Sequence, residues 1–127
     1  FPLIYDVLLY IKQPHTKHKH TRLTMTNTQV DLEELLVFSV ENKASDLHLS
    51  AGLPPMIRIE GEIRRLSSAP LQSSHILEML YGIMNDRQRK HFDADSDIDF
   101  SYGIEGLARF RVNAFQQLRG PGAAFRT

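Results

Sequence analysis

Apolar positions recur at helical spacing early in the chain, where Leu32, Leu35, Leu36 and Val40 fall on one face. Asp31 stands at the N-cap and Glu34 follows three residues later, the order of a capping box. This helix is expected to run to about Asn42. The period then drops to two. Across residues 45–50, Leu47 and Leu49 point to one side of a strand, and Asp46 and His48 to the other. Gly52-Leu53-Pro54-Pro55 turns the chain into a second strand over residues 56–60. Glu60-Gly61 makes a tight turn into residues 62–66, so these two strands read as a hairpin.

Residues 67–73, rich in Ser and Pro, read as loop. Ser73 or Ser74 is expected to cap a second helix, with Ile76, Leu77, Leu80, Ile83 and Met84 as its apolar stripe. Asp86 starts a short third helix through Lys90. The acidic stretch 93–99 leads into a strand at residues 98–102. Residues 103–106 turn the chain back into a strand over 107–117, and Gly120-Pro121-Gly122 turns it into a last one over 123–126. There is no internal repeat. Helix, strands, helices and then an antiparallel meander predict an α+β domain, with helices covering one face of a mostly antiparallel sheet.

Composition adds bounds. A chain of 127 residues with 42% hydrophobic and 24% charged residues suits one soluble domain. Its formal charge of zero supplies no global field for nucleic acid or an anionic membrane, so no nucleic-acid partner is expected. The absence of Cys excludes disulfides, thiolate metal sites and thiol nucleophiles, and is compatible with a cytosolic protein. The neutral total hides a split at Met25. Before it, Lys12, Lys17, Lys19 and Arg22 face only Asp6; the other 11 basic and 14 acidic residues follow. His15, His18 and His20 also lie in this first segment, where a flexible tail would bind metal only weakly. The apolar run over residues 1–11 is too short to span a bilayer, and its basic residues follow it, the reverse of a secretory signal. Met25 is therefore read as the natural start, with residues 1–24 a non-native or disordered extension.

Three constellations carry candidate chemistry. Asp93, Asp95, Asp97 and Asp99 alternate as in the opening of an EF-hand loop, but its sixth position holds Ile98 and its twelfth Ile104. An acidic turn running into a strand with a solvated face fits better, and no metal site is expected. Asp46 and His48 share a strand face and would suit acid/base chemistry or metal ligation. Nothing nearby offers a nucleophile, a third ligand or an oxyanion hole, so they read as a polar face packed on a neighbouring domain. The third constellation lies in the 107–117 strand, where Phe110, Val112 and Ala114 alternate with Arg109, Arg111 and Asn113. Arg126 sits on the partner strand. Guanidinium is permanently charged and matches phosphate oxygens in a fork, so such a hairpin could grip a polyphosphate. The alternative is that these arginines pair with Asp97 and Asp99 on an adjacent strand.

Ala44-Ser45-Asp46-Leu47-His48-Leu49-Ser50-Ala51-Gly52-Leu53-Pro54-Pro55-Met56-Ile57-Arg58 resembles the opening of the N-terminal domain of the secretion and type IV pilus ATPases, most nearly the PilT-like retraction motors. Met84-Asn85-Asp86-Arg87-Gln88-Arg89-Lys90 and the run Phe110-Arg111-Val112-Asn113-Ala114-Phe115 through Arg126-Thr127 are similar to the same family. The likeness covers residues 31–127 and implies a PAS-like fold. It also implies that arginines of the closing hairpin reach nucleotide phosphates on a RecA-like ATPase domain. Arg111 and Arg126 are the expected contacts, with Arg109 and Arg119 as possible additions.

The wider implication is a homohexameric motor that uses ATP and Mg and works with an inner-membrane pilus platform protein in twitching motility. It would be cytoplasmic and peripheral to the inner membrane. The chain carries no Gly-x-x-x-x-Gly-Lys-Ser/Thr loop, so it is expected to stop short of the ATPase domain and to be inactive alone, binding neither ATP nor Mg by itself. The rival reading is a free-standing PAS-type sensor or interaction module.

Overall fold

A computed structural model describes residues 30–127. The expected extension over residues 1–24, its three histidines and the expected start at Met25 lie outside the described residues. The elements run α1 (Leu32–Glu41), β1 (Asp46–Ser50), β2 (Met56–Ile59), β3 (Glu62–Arg65), α2 (Ser73–Gly82), α3 (Asp86–Asp95), β4 (Asp97–Ile104), β5 (Ala108–Gln117) and β6 (Gly120–Arg126). The strands form one sheet in the order β3-β2-β1-β6-β5-β4, and every neighbouring pair is antiparallel. The last strand thus inserts beside the first and joins two meanders into one sheet. This is the α+β arrangement that the sequence pattern predicts.

Alternation within each strand builds the core. Leu47 and Leu49 lie opposite Phe125 and Ala123, while Val112 and Ala114 face the same two residues from β5. All are at most 1% exposed. Leu36, Ile76, Leu80 and Phe92 close over them from α1, α2 and α3 and are fully buried. Burying each such side chain is worth about 1.5–3 kcal/mol. Helix α1 packs on β1, α2 on β1 and β6, and α3 on β4. One face of the sheet is therefore covered, and Asp46, Arg58, Arg111 and Arg126 alternate onto the other.

Local chemistry sets the turns. Asp31 caps α1 through its carboxylate, which accepts from the Glu34 N–H at 3.1 Å. Glu60 and Gly61 have φ of +51° and +82°, the pair of positive values that a primed hairpin turn needs.

Four expectations need correction. Helix α3 runs on to Asp95, so Asp93 and Asp95 are helical; Ser96, at φ +62°, ends the helix in place of an acidic turn. Asn85 and Gln88 start α3 with a reciprocal capping box, and the helix begins at Asp86 as expected. Helix α2 has no side-chain cap: it begins at Ser73 itself, so Gln72 takes the N-cap position, and the Ser73 hydroxyl donates to the Arg119 carbonyl at 3.2 Å. Gly120-Pro121-Gly122 is strand, not turn: Leu118 and Arg119 make the turn. Pro121 is tolerated because β1 pairs with β6 only from Gly122 onward.

Candidate functional site on the open face of the sheet

Register places one residue from every strand in a single row across the uncovered face. Ile63 pairs with Arg58, Arg58 with Asp46, Asp46 with Arg126, Arg126 with Arg111, and Arg111 with Ser101. Arg111 and Arg126 are thus direct cross-strand neighbours, with Cα atoms about 5 Å apart. Like charges so placed repel each other.

Asp46 offsets part of the repulsion. It is 7% exposed as a residue and lies between Arg58, whose Nε approaches Oδ2 at 3.8 Å, and Arg126, whose Nε approaches Oδ1 at 3.7 Å. His48, also on this face, brings Nε2 to 3.3 Å from Oδ2. Despite the short approach, that nitrogen makes no hydrogen bond. Asp46 therefore sits under three nitrogen-bearing side chains, and the expected same-face Asp46–His48 pair is joined by two arginines.

Arg111 differs. It is exposed and has no ion-pair or hydrogen-bond partner among the described residues. Arg109 lies two positions along β5, opposite Gly103, and donates to the Ser101 hydroxyl at 2.7 Å. It can lie there because Gly103 has no side chain; a Cβ would meet Arg109 Nη1 at 2.5 Å. Together Arg109, Arg111 and Arg126 line a shallow, open groove of about 500 Å³ with Asp99, Ser101 and Thr127. The groove is wide enough for a multiply charged anion and too open to enclose a small apolar ligand.

The structure thus brings together three of the four sequence-assigned arginines. Arg119 is not among them. It sits in the β5–β6 turn, while Arg126 lies at the far end of β6, roughly 20 Å away along an extended strand. The alternative pairing with Asp97 and Asp99 does not form among the described residues: Asp97 accepts from Asn113 at 3.1 Å, and Arg126 turns to Asp46. Asp46 and Arg58 were missed as members of this site. The signal lay in the alternation Asp46-Leu47-His48 and Met56-Ile57-Arg58, which needs only the β1–β2 register to join them.

The four aspartates of the EF-hand-like run part company. Asp93 accepts from the Tyr81 phenol, Asp95 pairs with His91 at 3.2 Å, and Asp97 and Asp99 lie on β4. Among the described residues no three acidic or imidazole groups converge as a metal site. Among them, too, no helix is long and apolar enough to cross a membrane.

No protein-family model matches the chain. Individual proteins do. Type IV pilus retraction ATPase PilT of Pseudomonas aeruginosa is 56% identical over 98 residues, which are 77% of this chain and 28% of that protein. Type IV pilus ATPase PilU of the same organism is 34% identical over 97 residues, 76% of this chain and 25% of its own length. A crystal structure of the pilus retraction motor PilT with bound ADP superposes with a TM-score of 0.73 at 33% identity, over 78% of this chain and 29% of that one. The chain spans less than a third of the length of each of these relatives. In sequence and in fold, the chain matches the N-terminal region of the PilT-type pilus retraction ATPases.

Proposed function

We propose that this chain is the N-terminal domain of a type IV pilus retraction motor and presents its arginine-bearing sheet face to nucleotide phosphates held by a RecA-like ATPase domain. One observation carries the reading: Arg111 is unpaired beside Arg126, on a groove that a third arginine also lines. Two adjacent guanidinium groups on rigid strands are a costly arrangement without an anion and a favourable one with it. The higher identity to PilT than to PilU over almost equal lengths favours the retraction motor over that second pilus ATPase.

The residues present fit the phosphates of ATP but not its metal, since among the described residues no acidic cluster could hold Mg. Phosphate-loop and metal contacts would belong to the ATPase domain, on the same or a neighbouring subunit of a hexamer. In that setting Arg111 and Arg126 neutralise phosphate oxygens and couple closure of the two domains to bound nucleotide. The machine would work in the cytoplasm against the inner-membrane platform protein of the pilus.

The test is made in a full-length motor carrying this domain. Arg111→Ala and Arg126→Ala should each lower the ATPase rate about tenfold or more while leaving the fold intact by circular dichroism. Unchanged turnover in both variants would refute the phosphate role.

A further inference from the structure

Arg126 and Arg111 face one groove, yet they are held differently. The guanidinium of Arg126 turns its Nε edge toward Asp46, at 3.7 Å, although its side chain is 75% exposed. Asp46 is only 10% exposed at its side chain and is flanked at its other carboxylate oxygen by Arg58 and His48. Its burial makes it the less mobile partner of the pair, and Arg126 also lines the groove, next to Arg111. A guanidinium can serve two anions in this way, one at its Nε edge and one at its Nη end. An ammonium cannot do so with the same geometry.

Resting on the phosphate-contact reading above, we infer that Asp46 is a positioning residue: it holds the Nε edge of Arg126 so that the Nη end is presented, beside Arg111, to a polyphosphate. This runs against simple charge counting. Removing a carboxylate from an anion-binding face should tighten binding if only net charge matters. If Asp46 orients Arg126, its loss weakens binding because the guanidinium must then be ordered by the ligand itself. The arrangement also makes the two arginines unequal. Lysine at position 111 keeps a point charge in the groove, whereas lysine at position 126 is captured by Asp46 and withdrawn from it.

The experiment titrates inorganic tripolyphosphate into the whole chain by calorimetry at low salt. Arg111→Ala and Arg126→Ala should each weaken binding about tenfold, which checks the site itself. Asp46→Asn should weaken it about fivefold rather than tighten it. Arg126→Lys should bind as poorly as Arg126→Ala, while Arg111→Lys stays within about threefold of the parent. Asp46 is buried, so the two lysine variants at exposed positions decide the matter independently of how well Asp46→Asn folds. A nitrogen-15 spectrum gives a ligand-free readout: the Arg126 Nε–H resonance should move on Asp46→Asn and the Arg111 one should not. If alanine at both arginines leaves binding unchanged, or the parent chain binds no tripolyphosphate, the phosphate site and the inference fall together. If both alanines weaken binding but Arg126→Lys and Arg111→Lys behave alike, or Asp46→Asn binds more tightly, only the role of Asp46 is overturned.

Discussion

Gly103 gives the site room, and its reason is a side chain on the next strand. Its backbone is not in the left-handed region, so alanine there meets no conformational barrier, only the Arg109 guanidinium that lies over it. Gly103→Ala should therefore leave thermal stability unchanged or slightly raised while breaking the Arg109–Ser101 hydrogen bond. A crystal structure or an arginine side-chain spectrum of the variant would show this. Gly122 is constrained more severely. A Cβ at that position would stand 2.7 Å from Phe115 Cε1 and 3.0 Å from the Leu49 carbonyl oxygen, and the carbonyl belongs to a paired strand. Gly122→Ala should cost about 1–3 kcal/mol in denaturant unfolding. Arg111 presents the opposite trade. Replacing it with Thr removes the repulsion with Arg126 and adds a better strand former, so stability should rise by roughly 0.5 kcal/mol as phosphate contact is lost. A gain in one with a loss in the other would mark Arg111 as kept for function.

Among the elements, α3 shows how local chemistry overrides composition. Its sequence is strongly polar, and Phe92 is its only buried residue, so the Asn85–Gln88 capping box sets where it begins. Asn85→Ala should lower stability by about 1 kcal/mol. Tyr81 ties α2 to α3 through its hydrogen bond to Asp93. That bond, then burial and the charge of Asp93, raises its pKa above the ordinary 10.0, while Arg89 opposes the shift. The folded state thus prefers the protonated phenol. Its contribution is complete below pH 10 and is lost as pH rises through the raised value. In the variant Tyr81→Phe this alkaline decline should be reduced in pH-dependent melting.

These same elements show what the sequence discloses. Alternation in β1 and β5 and the helical stripe of α2 are properties of single segments, so Leu47, Leu49, Val112, Ile76 and Leu80 are legible as core. The Gly120-Pro121-Gly122 strand is not, because turn residues are read as turns until the pairing of Gly122 with Ser50 is known. The site divides likewise. Arg109, Arg111 and Arg126 are visible from alternation and from family likeness, whereas their union with Asp46 depends on β6 inserting beside β1, a long-range event. Ser73 is misread as a cap because the helix starts at Ser73 and leaves Gln72 at the N-cap; its hydroxyl donates instead to Arg119, 46 residues away in sequence.

At the scale of the molecule, one face of the sheet is sealed by three helices and the other carries the charge. The sealed side provides the stability. Leu47→Ala, at a fully buried centre of the sheet, should cost about 2–5 kcal/mol. The open side carries the arginines of the proposed site, and they are held on strands rather than loops, which fixes their spacing. The central claim is that this face meets a nucleotide-loaded ATPase domain. The most direct measurement is calorimetric titration of the chain into an isolated RecA-like domain of a PilT-type motor, with and without ATP. Association that requires ATP and weakens at least tenfold on Arg111→Ala and Arg126→Ala is the predicted result. Association indifferent to ATP and to both substitutions, or no association at all, would contradict it.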